Sequence, residues 1–349
     1  MQEITVAPKP IKGVNTSTVA FLGETQKCPV APTLIISWMQ FQTVYGGYFG
    51  EEKFLPYAVE GFFLNGGQRC YIRRVCNNDY MVALMELEKV DEIALIYAPN
   101  AQATDGLIDL LFGHCERLQN RFVIIDSVKG QATSNVSKPE RACSYAALYY
   151  PWINVQEAGT GKLRLVSPGG YVAGVYATVD IERSVHKAPA NQQIKGVVSL
   201  EFAVSDSQQY NLNFQGINCI RSFPARGIMV WGARTLSSDP ERKYVNVQRL
   251  MIYLQQSIAR GTQWAIFEPN NEKTWAKLKL ASENLLYSSW QAGILMGAKP
   301  QEAYFVRCDS STMTQNDIDN GRIILRVGVA PVKPAEFIIF NVNQQSSAQ

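Results

Sequence analysis

The sequence predicts an α/β protein of two packed α/β layers or domains, with extended segments at both ends. Three observations predict it. From Ser17 to about Val155, apolar strand-like runs alternate with helical runs of about ten residues, the pattern of a parallel sheet covered on both faces. Two long helical stretches and several further strands lie toward the C-terminus, enough for a second layer. Pro8, Pro10, Pro331 and Pro334 keep the two ends extended, because proline fixes its own φ and biases its predecessor away from helix.

A chain of 349 residues with 46% hydrophobic content can bury a sizeable core. Its 33 basic and 30 acidic residues leave a net charge of +3, so no basic field points to nucleic acid as a partner. No apolar run approaches the roughly 20 residues of a membrane span, and no membrane insertion is expected. The start, MQEITVAPKP, lacks the layout of a secretion signal, so the chain is expected to begin in the cytoplasm. Seven cysteines, Cys28, Cys70, Cys76, Cys115, Cys143, Cys219 and Cys308, form no CxxC pair and suit buried thiols.

In chain order, Ile4-Thr5-Val6 is a short alternating segment ahead of the first prolines, an arm barred from the middle of a sheet. Ser17 to Gly23 is the first buried strand. Leu34 to Ile36 leads to Ser37, an N-cap for a short helix that Gly46-Gly47 ends. A helix from about Phe54 to Leu64 stops at Asn65-Gly66-Gly67, and a strand runs from Cys70 to Val75. The alternation then continues: helix Met81 to Lys89, strand Glu92 to Tyr97, helix Leu107 to Leu118, strand Phe122 to Asp126, helix Pro139 to Leu148, strand Tyr149 to Val155. Beyond the less regular stretch from Gly159 to Phe223, which holds a helix from Tyr171 to Glu182, Asp239-Pro240 marks a cap and N1 proline for a helix to Arg260. Another begins after Asn271 and ends at Gly297, and strands at Ala303 to Cys308 and Ile323 to Val329 follow.

Catalytic patterns are missing. His114 and His186 have no sequence neighbour arranged as base, nucleophile or metal ligand, so both are expected to be structural and no metal is expected. There is no GxSxG, no GxxxxGK[ST] and no GxGxxG after a strand, and no cofactor is expected. Gly169-Gly170 before a helix offers either an anion site at the helix N-terminus or a tight turn. A Rossmann-like nucleotide-binding enzyme remains an alternative by layout alone. At the far end, APVKPAEFIIFNVN (Ala330 to Asn343) has two local readings. It is either an edge strand folding back on its own sheet or a strand donated to a neighbour's sheet.

Taken together, GVNTSTVAFLGETQKCPVAP (Gly13 to Pro32), YAVEGFFLNGGQRCYIRRV (Tyr57 to Val75), YVAGVYATVDIERSVHKAPAN (Tyr171 to Asn191), FPARGIMVWGARTL (Phe223 to Leu236), WAIFEPNNEKTWAKL (Trp264 to Leu278), AYFVRCD (Ala303 to Asp309) and VGVAPVKPAEFIIFNV (Val327 to Val342) resemble the tail sheath proteins of contractile phages and contractile injection systems. The likeness runs in order along almost the whole chain. The length is similar to the compact sheaths of phage-tail-like bacteriocins and extracellular injection particles, without the added domains of larger phage sheaths or the split chain of type VI sheaths.

The resemblance implies a structural, non-enzymatic subunit. It would polymerise helically as stacked rings around an inner tube in a metastable extended state, then contract to drive the tube through a target envelope. Implied partners are other copies of the chain, the inner tube protein, baseplate and terminator or cap proteins, and sheath paralogues. A paralogue confined near the baseplate is the alternative within the family. Assembly in the bacterial cytoplasm is implied, within a phage tail or a particle released outside the cell. The implied division is an arm over 1–16, an outer α/β domain over 17–223, an inner domain over 224–330 and an arm over 331–349. The arms would add strands to neighbouring subunits through Ile4, Thr5 and Val6 at one end and Phe337, Ile338, Ile339, Phe340 and Val342 at the other, which makes donation the preferred reading of the last stretch. Gly13 with Pro8 and Pro10, and Pro331 with Pro334, would bound the hinges. Tube attachment falls to the helix after Asn271, where Lys273, Lys277 and Lys279 project beside a stripe of Trp275, Leu278 and Leu285; a plain solvated face with a Lys279–Glu283 pair is the alternative. Arg73-Arg74 and Arg221 to Arg226 would be available for ion pairs between rings.

Overall fold

The computed structural model describes residues 10–27, 29 and 31–336. Its frame is a nine-stranded sheet in the order β2-β3-β1-β4-β5-β6-β11-β12-β9. The strands are β1 (Val19–Gly23), β2 (Thr33–Ile35), β3 (Cys70–Arg74), β4 (Leu95–Tyr97), β5 (Phe122–Asp126) and β6 (Ala146–Tyr150), with β9 (Gln192–Gln193), β11 (Ile217–Phe223) and β12 (Gly227–Trp231). From β3 through β11 the neighbours run parallel; β2 and the β11–β12–β9 edge run antiparallel. All side chains of β1, β4, β5 and β6 are buried, as a sheet covered on both faces requires.

The early helices sit where the sequence places them. α1 (Trp38–Tyr45) starts at Ser37, whose hydroxyl accepts from the Gln40 N–H, and ends at Gly46. α2 (Leu55–Leu64), α3 (Tyr80–Leu87) and α4 (Leu107–Leu118) alternate with the strands. The expected helix over Pro139 to Leu148 is not formed: residues 139–145 are irregular and β6 follows. Ala146 and Ala147 have high helix propensity, but they lie fully buried in a strand between β5 and β11, and packing overrides it. The strand expected over Tyr149 to Val155 is split by Pro151, which has no N–H for a ladder. Its second half, β7 (Ile153–Gln156), joins β8 (Leu163–Val166) and β10 (Val197–Leu200) in a separate antiparallel sheet.

α5 (Gly169–Arg183) lies against α2 at very short range. A Cβ on Gly170 would stand 2.4 Å from the Ala58 Cα, so the two backbones touch only because that side chain is missing. α6 (Asp206–Phe214) carries a capping box from Ser205 and Gln208 and packs on β11. The expected boundary between Phe223 and Pro224 falls in the turn of the β11–β12 hairpin, both strands of which belong to the large sheet.

Beyond this sheet, the helix expected from Asp239 to Arg260 is two elements. Asp239 caps only a short 3-10 turn over Pro240–Arg242, and α7 (Val245–Gly261) begins afresh. Backbone hydrogen bonds from Thr235 N–H to Lys243 O and from Val245 N–H to Ala233 O draw the intervening chain out of helical geometry. α8 (Glu272–Gln291) is capped by Asn271 and stops short of Gly297, because Gly293 takes φ 72° and turns the chain. α9 (Pro300–Ala303), β13 (Tyr304–Arg307), α10 (Gln315–Asp319) and β14 (Arg326–Val329) complete this end. The large sheet and its helices share one core, while smaller clusters lie between α7, α8 and the β13–β14 pair.

At the carboxyl end of β5 the buried Asp126 accepts from Tyr97 Oη (2.7 Å) and from the Asn100 and Gly169 N–H groups (3.2 and 2.8 Å). The α5 N-terminus that the glycine pair suggested as an anion site thus holds the chain's own carboxylate. Burial pushes the Asp126 carboxyl up to about 7, against these hydrogen bonds, which favour ionisation. A carboxyl with a folded pKa above its ordinary 3.8 contributes full stability below that value and loses it as pH rises to about 7. Asp126→Asn should therefore flatten the fall in stability between pH 4 and 7 relative to the parent chain; melts across that range check it, and parallel curves would refute it.

Candidate assembly site at the roots of the terminal segments

The strand residues Ile4, Thr5, Val6, Phe337, Ile338, Ile339, Phe340 and Val342 lie outside the described residues. What the structure shows is how the chain is held just inside them. On the N-terminal side the segment runs along α7. Ile11 packs against Gly261, Gly13 faces the Tyr253 ring and the Val14 N–H donates to Ser257 Oγ at 3.1 Å. Thr16 then joins a buried ion pair. Arg249 of α7 meets Asp180 of α5 at 2.5 and 3.0 Å, with both side chains 3% exposed. Thr16 Oγ1 donates to the same carboxylate, and its carbonyl accepts from Arg249. The guanidinium lies 4.8 Å over the Tyr176 ring.

On the C-terminal side, β14 continues into Ala330, whose N–H donates to Ala303 O and whose carbonyl accepts from Met296. Pro331 bridges to Leu295, and Asn246 at the start of α7 donates to Val332 O (3.4 Å) and His186 O (2.8 Å). Lys333 pairs with Glu241, and Glu336 accepts from Nε and Nη2 of Arg234. Pro331 and Pro334, expected to bound a hinge, therefore lie in a segment fixed to its own subunit, and Gly13, the expected bound at the other end, is packed against Tyr253. A signal for these anchors is missing from the sequence, because Arg234 and Glu336 are 102 positions apart.

β13 and β14 form a two-stranded sheet, so among the described residues each has one edge without a ladder partner. Phe305 on β13 is 52% exposed. An isolated pair of strands is marginal in water and its open edges accept further strands.

On α8, Trp275 and Leu278 face inward onto Cys308 and Met313, and Leu285 packs toward the cluster that includes Leu286. The apolar stripe is an inner face. Lys273 is exposed, Lys277 and Lys279 are half-buried, and Lys279 lies 3.9 Å from Glu283. Arg73 and Arg221, offered for contacts between rings, are buried and paired within the chain, to Glu86 and Asp79 and to Asp206. His114 is buried against Arg121 and Glu88, and burial pushes its imidazole down to about 4. Among the described residues no helix is long and apolar enough to cross a membrane, and no group of three or more metal-ligating side chains is gathered.

An α/β body on one large sheet, terminal segments held at their roots beside α7 and, among the described residues, a small sheet with open edges fit an assembly protein. Comparison with known proteins places it. The chain belongs to the phage tail sheath family: the phage tail sheath protein central domain matches residues 74–236 and the phage tail sheath C-terminal domain residues 237–345. It is 33% identical to the sheath of an extracellular contractile injection system (PVC) in the contracted state, with a TM-score of 0.85 over 99% of this chain and 96% of that one. Against the contracted helical sheath of the anti-feeding prophage the values are 32%, 0.84, 99% and 98%. A putative prophage major tail sheath protein of Pseudomonas aeruginosa is 25% identical over 71% of this chain and 64% of its own length. The chain matches only 26% of the longer tail sheath protein of Enterobacteria phage T4.

Removing one partner of a buried ion pair leaves the other charge uncompensated. Arg249→Met should lower the stability of the unassembled chain by about 3–5 kcal/mol. Urea unfolding checks the magnitude, and hydrogen exchange should show the amides around Val14 losing protection.

Proposed function

We propose that this chain polymerises as stacked rings around an inner tube in an extended state, and that contraction of the sleeve drives the tube through a target envelope. The observation that carries the reading is end-to-end similarity at 32–33% identity to sheath chains in two contracted assemblies. Force would come from two packings of folded subunits, with no chemical step in the chain itself. Baseplate and terminator proteins would bound the sleeve, which would be assembled in the bacterial cytoplasm and released within its particle.

In this reading the terminal segments are the links. Residues Ile4 to Val6 and Phe337 to Val342 would add strands to the open edges of a neighbour's β13–β14 pair, through main-chain hydrogen bonds and alternating side chains. A head-to-tail contact gives a ring where its rotation closes and a helical array where it does not. The division between outer and inner bodies fits best near residue 237, where the two family domains meet. Lys273, Lys277 and Lys279 would face the tube from α8. A sheath paralogue beside the baseplate is the second reading, favoured by the match, at 32% identity and TM-score 0.82, to a chain of the anti-feeding prophage baseplate.

Negative-stain microscopy of the chain expressed with its tube partner tests the core of this. Striated hollow tubes are expected from the full chain and none from a chain ending at Glu336; discrete particles from both would overturn the sheath reading. Immunogold label at one end only would favour the baseplate paralogue. Exchanging Lys273, Lys277 and Lys279 together for glutamate should abolish assembly on the tube without shifting the melt of the isolated chain. Unchanged assembly would remove the lysines from the interface.

A further inference from the structure

The C-terminal segment is not fastened where its own strand would suggest. After β14 it leaves the small β13–β14 sheet, passes the start of α7 and, at Glu336, reaches Arg234, shortly beyond β12 of the large sheet. Pro331 and Pro334 have no N–H, and Val332 makes a long bond to Ile294 O at 3.4 Å, so backbone pairing alone holds residues 331–336 poorly. Two side chains do the rest. Lys333–Glu241 is solvent-exposed and weak. Glu336 is different in kind.

Its two carboxylate oxygens take Arg234 Nε and Nη2 at 2.7 and 2.6 Å, a fork-to-fork pair with side chains 7% and 15% exposed. Tyr244 Oη donates to Oε2 (3.2 Å) and Asn213 Nδ2 to Oε1 (3.4 Å). Arg234 is itself immobilised. Nη1 donates to Asn213 O, while its backbone N–H and carbonyl are both bonded to the buried Asn218 side chain of β11. Asn218 Nδ2 also donates to Leu148 O of β6. The carboxylate of a single terminal-segment residue is thereby connected through side-chain hydrogen bonds to two central strands. Burial alone would push the Glu336 carboxyl up, yet pairing with Arg234 holds it below the ordinary carboxylate range.

We propose that Arg234 is the positioning residue for the C-terminal arm: its fork on Glu336 fixes where the arm leaves its subunit and passes tension on a donated strand into the nine-stranded sheet. The inference rests on the reading of the arm as a strand donor. Without the fork, a pull would meet the bonds at Val332, Ala330 and Met296 one after another, and bonds loaded in series open singly.

The test uses the full chain, with Glu336→Gln and Arg234→Lys beside the chain ending at Glu336. Lysine keeps the buried charge paired but loses the fork, so a role in charge compensation alone would leave it like the parent. In unassembled protein, amides of Met296, Ala330 and Val332 should exchange at least tenfold faster in both substituted chains with β1 and β5 unchanged, and in Arg234→Lys, which keeps the charges paired, the melt should be little moved. With tube present, extended sheaths should be lost or recovered only in contracted form. Parental exchange and normal extended sheaths in both, with assembly still abolished by the truncation, would overturn the anchor and leave the donated arm standing. Normal sheaths from the truncated chain would overturn the arm, and the anchor with it.

Discussion

The buried contact between Arg249 and Asp180 ties α7 to α5, beside the apolar packing of Val245 and Ile252 on the main core. A well-packed apolar pair of the same volume would hold α7 against α5 at least as strongly, since desolvating two charges offsets most of their attraction. It would not choose an orientation. A planar guanidinium that must satisfy one carboxylate, one carbonyl and one aromatic face admits a narrow range of angles and no sliding. The N-terminal segment from Ile11 to Thr16 takes its position from α7, and the C-terminal segment touches the same helix at Asn246 before Arg234 holds it.

Within the large sheet the physics is ordinary burial. Apolar strands alternate with capped helices, and the region at the carboxyl ends of the parallel strands, where α/β enzymes place ligands, holds a hydrogen-bonded knot of Asp126, Tyr97, Ser167 and the α5 N-terminus. The family assignment, reached independently through similarity along the chain, agrees with that arrangement.

Much of this was legible from local pattern. Ser37 capping α1, the limits of α4 and the glycine stop after α2 follow from signals a few residues long. The failures share a cause. Ala146 and Ala147 favour helix when nothing else decides, and here burial in β6 between two strands decides. The break before α7 depends on bonds to residues 233–235, and α8 ends at the first of two eligible glycines. The assembly site was legible only as a family likeness. Its anchors join residues far apart in sequence, with no spacing rule to connect Glu336 to Arg234 or Thr16 to Asp180. Burial of Arg73 and Arg221 was hidden for the same reason, since sequence shows a charge but not its partner.

Both terminal segments touch α7, one at each end. Asn246 receives one segment and Gly261 flanks the other, so the two tie points lie at opposite ends of a rod about 22 Å long at 1.5 Å rise per residue. In any lattice knitted through both segments, that rod is a gauge. The mesh between neighbouring copies can shear and widen as the segments swing, while the knot-to-knot spacing inside each copy stays constant. Large changes of overall shape then need no copy to stretch.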